Sequence, residues 1–243
     1  MFRNIIKANK ICSKFFSTEV QKLSIRMTTP DDKNGIMEVI KKGFHYDENL
    51  NKSFNLSYKE MEPIYSLILN NNFTINNSLV AVDEKNQIIG TIILLLKTLN
   101  PKYKKFINED NDEMINELVG ENKKIKTIFE IVDNSTKDIW DMLFSKFDSV
   151  YKSLILGVLP EYRDQKVGRL LMGAREEMIF KKYPWIHADV GICTTLKSRS
   201  ILKHYGYHDL GSVSLNEYGI NSLEDGTTHV TGIYKIFSTQ TNK

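Results

Sequence analysis

Apolar positions recur along the chain with different periods, and each period points to an element. Leu23-Ser24-Ile25-Arg26-Met27 alternates as a half-buried strand does. A helix is expected next, signalled by Thr29 as N-cap, Pro30 at the first helical position and Asp31 and Asp32 in the first turn. Ile36, Val39, Ile40, Gly43 and Phe44 trace one face of it. Ser57-Tyr58-Lys59-Glu60 forms a capping box ahead of Ile64, Leu67 and Ile68, although Pro63 blurs where that helix begins, and an Asn-rich loop ends it. Residues 78–83 and 87–97, rich in Val and Ile, read as a hairpin across Glu84-Lys85-Asn86. From 100 to 149 the chain turns charged and helix-like, with Met114, Leu118 and Val119 on one stripe and Trp140, Leu143, Phe144 and Phe147 on another, as an insertion packing helices over a sheet would require. Residues 151–159 form an apolar strand interrupted by Gly157. It runs through Pro160-Glu161-Tyr162-Arg163-Asp164-Gln165-Lys166 into a helix whose Val167, Leu170, Leu171, Ala174 and Met178 keep helical spacing. A strand at 188–192, a short helix at 197–204 and strands at 207–214 and 229–237 complete the chain. No repeat is visible, and residues 21–243 read as a single domain.

Composition narrows the class. A chain of 243 residues, 41% hydrophobic and with 13 Gly and 5 Pro, can bury a sizeable core and is neither low-complexity nor collagen-like. Cys12 and Cys193 are too few for a disulfide scaffold, so a reduced compartment is expected. The longest apolar run, 88–96, falls short of the roughly 18 to 20 residues of a membrane helix and contains Gly90 and Thr91, so a soluble protein without a membrane partner is expected.

The net charge of +3 is uneven. Arg3, Lys7, Lys10 and Lys14 precede the first acid, Glu19, and without them the body is close to neutral, which argues against nucleic acid as a partner. At about 100° per residue those cations share one arc, opposite Phe2, Ile5, Ile6, Cys12 and Phe16. Residues 1–20 thus resemble a mitochondrial transit peptide, with Lys14-Phe15-Phe16-Ser17 similar to a matrix-protease cleavage pattern. The expected location is the mitochondrial matrix; the alternative is a plain N-terminal tail on a cytoplasmic protein.

The order strand, tight loop, helix at 151–178 is the segment with most chemical content. A helix start presents unpaired N–H groups and partial positive charge, so a loop there with a glycine permitting close approach suits a pyrophosphate. The surrounding text, Val158-Leu159-Pro160-Glu161-Tyr162-Arg163 followed by Gly168, resembles the GNAT superfamily of acyl-CoA N-acyltransferases, whose motif is Gln/Arg-x-x-Gly-x-Gly/Ala. Arg163 takes the first motif position and Gly168 the last, while Lys166 stands where a middle Gly is usual. The resemblance implies an α/β fold with a mixed, largely antiparallel sheet flanked by helices and a splayed parallel pair at the cofactor cleft. It also implies acetyl-CoA as co-substrate, with Arg163, Lys166, Val167, Gly168 and Arg169 around the pyrophosphate and the main chain near Leu156 and Val158 facing the pantetheine. Gly157 is expected to mark the strand bulge of that family. Lys166 costs nothing there if its φ is negative and about 1 to 2 kcal/mol if it is positive.

Two shorter strings narrow the resemblance to the invertebrate, dopamine-acetylating type of arylalkylamine N-acetyltransferase. Phe44-His45-Tyr46-Asp47-Glu48-Asn49-Leu50-Asn51 looks like its Phe-x-x-Asp-Glu-Pro-Leu-Asn, with Asn49 in place of Pro, and Cys193-Thr194-Thr195-Leu196-Lys197-Ser198 is similar to its Cys-Ser-Ser-x-x-Ser. Carried across, Glu48 is the catalytic base and Ser198 a polar residue near the thiol. Many superfamily members carry a Tyr acid where this chain has Leu202, and the dopamine-acetylating type is apolar there too. The expected function is acetyl transfer to a small primary amine, an arylalkylamine by this resemblance, through direct attack in a ternary complex. A polyamine or amino-acid-like amine is the alternative acceptor, and a non-catalytic acyl-CoA-binding domain the alternative class.

Amine chemistry supports a carboxylate in that role. An arylalkylamine, with a pKa near 10, arrives as an ammonium and must lose a proton before it can attack a thioester. A nearby carboxylate attracts the cation and then takes the proton, and burial improves it as a base. No metal is expected: His204 and His208 have helical spacing, but Gly206 breaks the helix between them. Cys193 reads as a small buried hydrophobe, and Asn55-Leu56-Ser57 and Asn134-Ser135-Thr136 are glycosylation patterns without a secretory signal.

Overall fold

The computed structural model describes residues 23–107 and 109–237; the leader read at 1–20 lies outside the described residues. Strand β1 (Ser24–Met27) passes through a tight turn at Pro30–Asp32 into helix α1 (Lys33–Ile40), which widens into a π turn at Lys41–His45. Asp32 receives the Arg26 guanidinium at 2.6 and 2.7 Å and the Thr29 N–H at 2.8 Å, which holds this first turn. Helices α2 (Asn49–Ser53) and α3 (Tyr58–Asn70) follow. Ser57 and Glu60 form the expected capping box, so α3 starts at Tyr58 and absorbs Pro63 without ending. The Asn-rich segment is not only a loop: the Asn71 side chain accepts the Thr74 N–H at 2.9 Å and caps a further short helix, α4 (Asn72–Asn77).

The hairpin β2 (Leu79–Val82) and β3 (Ile88–Thr98) then leads into α5 (Glu109–Glu121) and the long α6 (Lys123–Phe144). Ile125, Ile128, Ile131, Ser135, Ile139 and Leu143 are the buried stripe of α6, which lies across the far strands of the sheet. Met114, expected on an apolar stripe, is exposed, because α5 packs chiefly against α3 and α6 and turns Ile115, Leu118 and Val119 inward. Strand β4 (Ser149–Val158), helix α7 (Val167–Arg175), β5 (Ala188–Cys193), helix α8 (Leu196–His204), β6 (His208–Ser214) and β7 (His229–Ile236) follow as the periodicity suggests.

The strands form one seven-stranded sheet in the order β1-β2-β3-β4-β5-β7-β6. Neighbours are antiparallel except β4 and β5, which run parallel. Alternate residues of β3 feed opposite faces: Ile93 joins Ile36, Ile64 and Ile131 under the first helices and α6, and Ile92 joins Leu171 and Met172 under α7. Among the described residues no helix is long and apolar enough to cross a membrane.

Two details shape the cleft. The parallel pair is joined only at Tyr151↔Asp189 and Lys152↔Val190, after which β4 leaves β5. The irregularity in β4 sits at Leu154, between the pairs Ile93↔Ile155 and Leu94↔Ser153, and not at Gly157 as expected. Gly157 is in regular register with Thr91. Its missing side chain serves packing instead, since a Cβ there would lie 3.3 Å from Val39 and 3.4 Å from Phe44. The π turn before Glu48 is thereby pressed onto the strand that faces the cleft.

Candidate active site

The fork between β4 and β5 opens into a cleft of about 790 Å³. From Ser153 onward β4 is hydrogen-bonded to β3 on one side, and on the other side no strand among the described residues reaches it. That edge therefore offers main-chain groups to a ligand. At one end stands the start of α7, whose first intrahelical bond runs from the Leu170 N–H to the Lys166 carbonyl at 2.9 Å. The N–H groups of Val167, Gly168 and Arg169 precede that bond and lack helical partners. Val167 buries its side chain in the core and so anchors the helix start, while Lys166, Arg169 and Lys197 add positive charge along the rim. Lys166 has φ +63°, the left-handed conformation, so the strained alternative applies to this departure from the glycine motif.

Arg163 lines the same cleft, but its guanidinium crosses it to the Asp47 carboxylate, next to Glu48. Glu48 caps α2, its Oε2 accepting the Asn51 N–H at 2.7 Å. Its Oε1 is buried without a hydrogen-bond partner. Burial raises the Glu48 carboxyl above the ordinary carboxylate range, against the pull of the Asn51 N–H, Thr194, the Leu50 N–H and the Lys52 charge. Asn51 also donates from Nδ2 to the His45 carbonyl at 3.2 Å. His45 is 1% exposed and lies outside the cleft lining. Its ring nitrogens face the Tyr65 hydroxyl and the Leu56 carbonyl, each at 3.1 Å, and burial lowers its pKa, so it is a neutral buttress.

The remaining expected positions meet here too: Leu156, Val158, Gly168, Ser198 and Glu48 all line one cleft. Ser198 sits in the first turn of α8, where the Thr195 hydroxyl caps its N–H at 3.0 Å and its own hydroxyl donates to the Thr195 carbonyl at 2.9 Å. Leu202 faces the cleft at the position of the absent Tyr acid. Tyr205 turns away and donates to the Arg169 carbonyl at 2.6 Å, tying α8 to α7. Cys193 is buried, and burial pushes its thiol up to about 12, so it is a thiol at neutral pH. His204 lies on α8 and His208 on β6, and no metal-ligating cluster occurs among the described residues.

A buried polar group at the fork escaped the sequence reading. Arg175, on the last turn of α7, donates to Asp189 at 2.8 Å, to the Tyr207 hydroxyl at 2.5 Å and to Ser153. Ser153, the first cleft-facing residue past the fork, also donates to Asp189 at 2.7 Å. Arg175 and Asp189 are both fully buried. Desolvation pushes the Asp189 carboxyl up, opposed by Arg175, Tyr207 and Ser153. In the sequence Arg175 appears only as one charge in a helix; the signal was its place among apolar neighbours.

This architecture recurs in known structures. The chain superposes on arylalkylamine N-acetyltransferase 2 of the mosquito Aedes aegypti with a TM-score of 0.70, covering 88% of this chain and 99% of that one at 16% identity. The mosquito arylalkylamine N-acetyltransferase like 5b gives 0.67 over 89% and 100% at 18% identity. The Drosophila melanogaster polyamine N-acetyltransferase gives 0.64 over 89% and 100% at 15% identity. No protein-family model and no curated protein matches the sequence. The chain thus has the GNAT fold of these N-acetyltransferases, a mostly antiparallel sheet with one parallel pair.

Proposed function

We propose that this chain transfers an acetyl group from acetyl-CoA to a small primary amine, an arylalkylamine in the first instance. The observation that carries the reading is Glu48, a carboxylate with one buried, partnerless oxygen, set in the same cleft as the open edge of β4 and the unpaired N–H groups of α7. Acetyl-CoA fits that cleft as co-substrate: its pyrophosphate meets the start of α7 beside Lys166 and Arg169, and its pantetheine follows the free main chain near Leu156 and Val158. At the other end Glu48 attracts the ammonium and takes its proton. The freed amine attacks the thioester carbonyl, the adduct's nitrogen gives its second proton to solvent, the C–S bond breaks, and coenzyme A leaves as a thiolate, for which a thiol-like pKa of about 8.5 makes an acid at Leu202 unnecessary.

Asp47, Glu224 and Asp225 also line the cleft and favour a second reading, an acceptor with a further cationic centre such as a polyamine. Thiol release from acetyl-CoA, measured with tyramine, dopamine, tryptamine, spermidine and lysine, tests both: turnover with aryl amines supports the first, turnover confined to spermidine the second, and none with any amine leaves an acyl-CoA-binding domain. Glu48→Gln tests the base. Its turnover should fall by about 10² or more and recover as pH nears the amine's own pKa of about 10. In the unmodified enzyme activity should fall as pH drops through a value above the ordinary carboxylate range, because protonated Glu48 cannot accept a proton. Near-normal turnover of Glu48→Gln at neutral pH would overturn the assignment. For the leader we propose mitochondrial import; a fluorescent reporter carrying residues 1–20 that stayed diffuse in the cytosol would refute it.

A further inference from the structure

Beside Glu48 stands Asn49, where the resembling sequences carry Pro. It opens α2 and is 5% exposed, well buried for an amide. Its Nδ2 donates to the Thr194 carbonyl at 3.0 Å and to Asp225 Oδ1 at 3.3 Å. Asp225 in turn receives the Leu196 N–H on Oδ2 at 2.9 Å and the Thr227 N–H on Oδ1 at 3.1 Å. One amide and one carboxylate therefore stitch together three segments distant in sequence: the loop bearing Glu48, the entry to α8 and the connection from β6 to β7.

That connection is built as a wall. Leu223 is 3% exposed and shares a core cluster with Leu50 of α2. Its N–H bonds the Thr227 carbonyl at 2.7 Å, and Gly226 at φ +82° closes the turn that aims Asp225 at the cleft. Lys52 of α2 pairs with Glu224 in the same turn. Proline at position 49 would suit the first position of α2, where the N–H has no helical partner, yet it could make neither side-chain bond. The Asn therefore gives up a favourable helix start and gains a link across the acceptor end of the cleft.

We infer that Asn49 and Asp225 are positioning residues that fix the 219–228 connection against the base loop and so form the acceptor-side wall on which the amine is held against Glu48. The inference rests on the proposed acetyl transfer, since it concerns the acceptor end of that cleft. It separates that end from the cofactor end: the side-chain hydrogen bonds of Asn49 and Asp225 go to Thr194, to the start of α8 at Leu196 and to the 219–228 turn, and none of them goes to α7.

The test is steady-state kinetics on the full chain and its Asn49→Pro, Asn49→Ala and Asp225→Ala variants, with tyramine and spermidine as acceptors. Asn49→Pro is the decisive variant, because it keeps or improves the start of α2 while removing the link. KM for the better amine should rise about tenfold, the equivalent of a buried hydrogen bond, with KM for acetyl-CoA within about twofold and the melting temperature close to that of the unmodified protein. Asn49→Ala combined with Asp225→Ala should cost less than the sum of the single effects, because the two variants share the Asn49–Asp225 bond, although each also loses bonds of its own. Amine kinetics of Asn49→Pro equal to those of the unmodified enzyme, equal rises in both KM values, or fully additive single effects would each overturn the inference. An unmodified protein that releases no thiol with any amine would instead overturn the proposed function, and this inference with it.

Discussion

Lys166→Gly should stabilise the protein and weaken its grip on acetyl-CoA at once. Lys166 is held at φ +63° immediately before α7, a conformation that costs a side-chain-bearing residue about 1 to 2 kcal/mol and glycine nothing. Glycine gives back about 0.5 to 1 kcal/mol through the larger entropy of its unfolded chain. The difference leaves a gain of about 0.5 to 1 kcal/mol, or about 1 to 4 °C in melting temperature for a chain of this size. The lost ammonium is exposed, so its attraction for a pyrophosphate is screened and amounts to about 1 kcal/mol, a roughly fivefold weaker Kd. Thermal unfolding of the free protein and calorimetric titration with coenzyme A measure the two effects separately. Lys166→Ala is the control: it loses the charge but keeps the strained backbone, so it should bind as weakly as the glycine variant without melting later. Raising the salt concentration should narrow the affinity gap between unmodified and variant proteins. A glycine variant that melts earlier than the unmodified protein would refute the strain argument. One that binds coenzyme A as tightly would remove Lys166 from the pyrophosphate site.

Gly168→Val should leave the fold intact, because a Cβ there meets only Leu156 and Val158 at 3.9 and 4.0 Å, yet KM for acetyl-CoA should rise at least tenfold as the branched side chain intrudes on the pyrophosphate; an unchanged constant would discard the loop assignment. Ser198→Ala should lower stability by about 1 kcal/mol, because its hydroxyl supports the first turn of α8, with turnover within about twofold; a tenfold loss of turnover in a protein that melts normally would give Ser198 a part in the chemistry. Arg175→Met should cost about 3 to 5 kcal/mol by leaving Asp189 buried and unpaired, and adding Asp189→Leu should restore most of it; urea unfolding of the single and double variants decides, and a single variant as stable as the unmodified chain would show the pair to be dispensable.

Much of this fold is readable because it rests on local signals. The Ser57-to-Glu60 box, the Val- and Ile-rich hairpin and the helical spacing of Val167, Leu170, Leu171 and Ala174 act over a few residues, so the sequence states them directly. The misreadings share a cause as well. Gly157 looked like a bulge because an isolated strand glycine has several explanations, and only the approach of Val39 and Phe44, far away in sequence, decides that it serves packing. Asn70, Asn71 and Asn72 read as a loop because asparagine is a poor helix former; Asn71 is also a good N-cap, and that property prevailed. Met114 looked like core because helical period shows which residues share a face, not which face meets a neighbour.

The site divides along the same line. The loop before α7 and the string from Phe44 to Asn51 around Glu48 are short and contiguous, so their resemblance to known motifs is visible in the sequence. What sets the environment of Glu48 is not contiguous. Glu48 is met by Thr194 and shares its cleft with Glu224 and Asp225, residues brought near by a sheet in which β5 pairs with β7 before β6. The fork has the same character: Arg175, Ser153, Asp189 and Tyr207 come from separate elements and converge where β4 and β5 part. A buried ion pair is at best a modest source of stability. Here it joins the last turn of α7 to the first cleft-facing residue of β4, so the helix whose start faces the cleft and the strand that borders it are fastened at the apex. Cleft width and helix direction are thereby tied to one another, and under the proposed acetyl transfer this one frame would set both the pyrophosphate end and the pantetheine edge of the cleft.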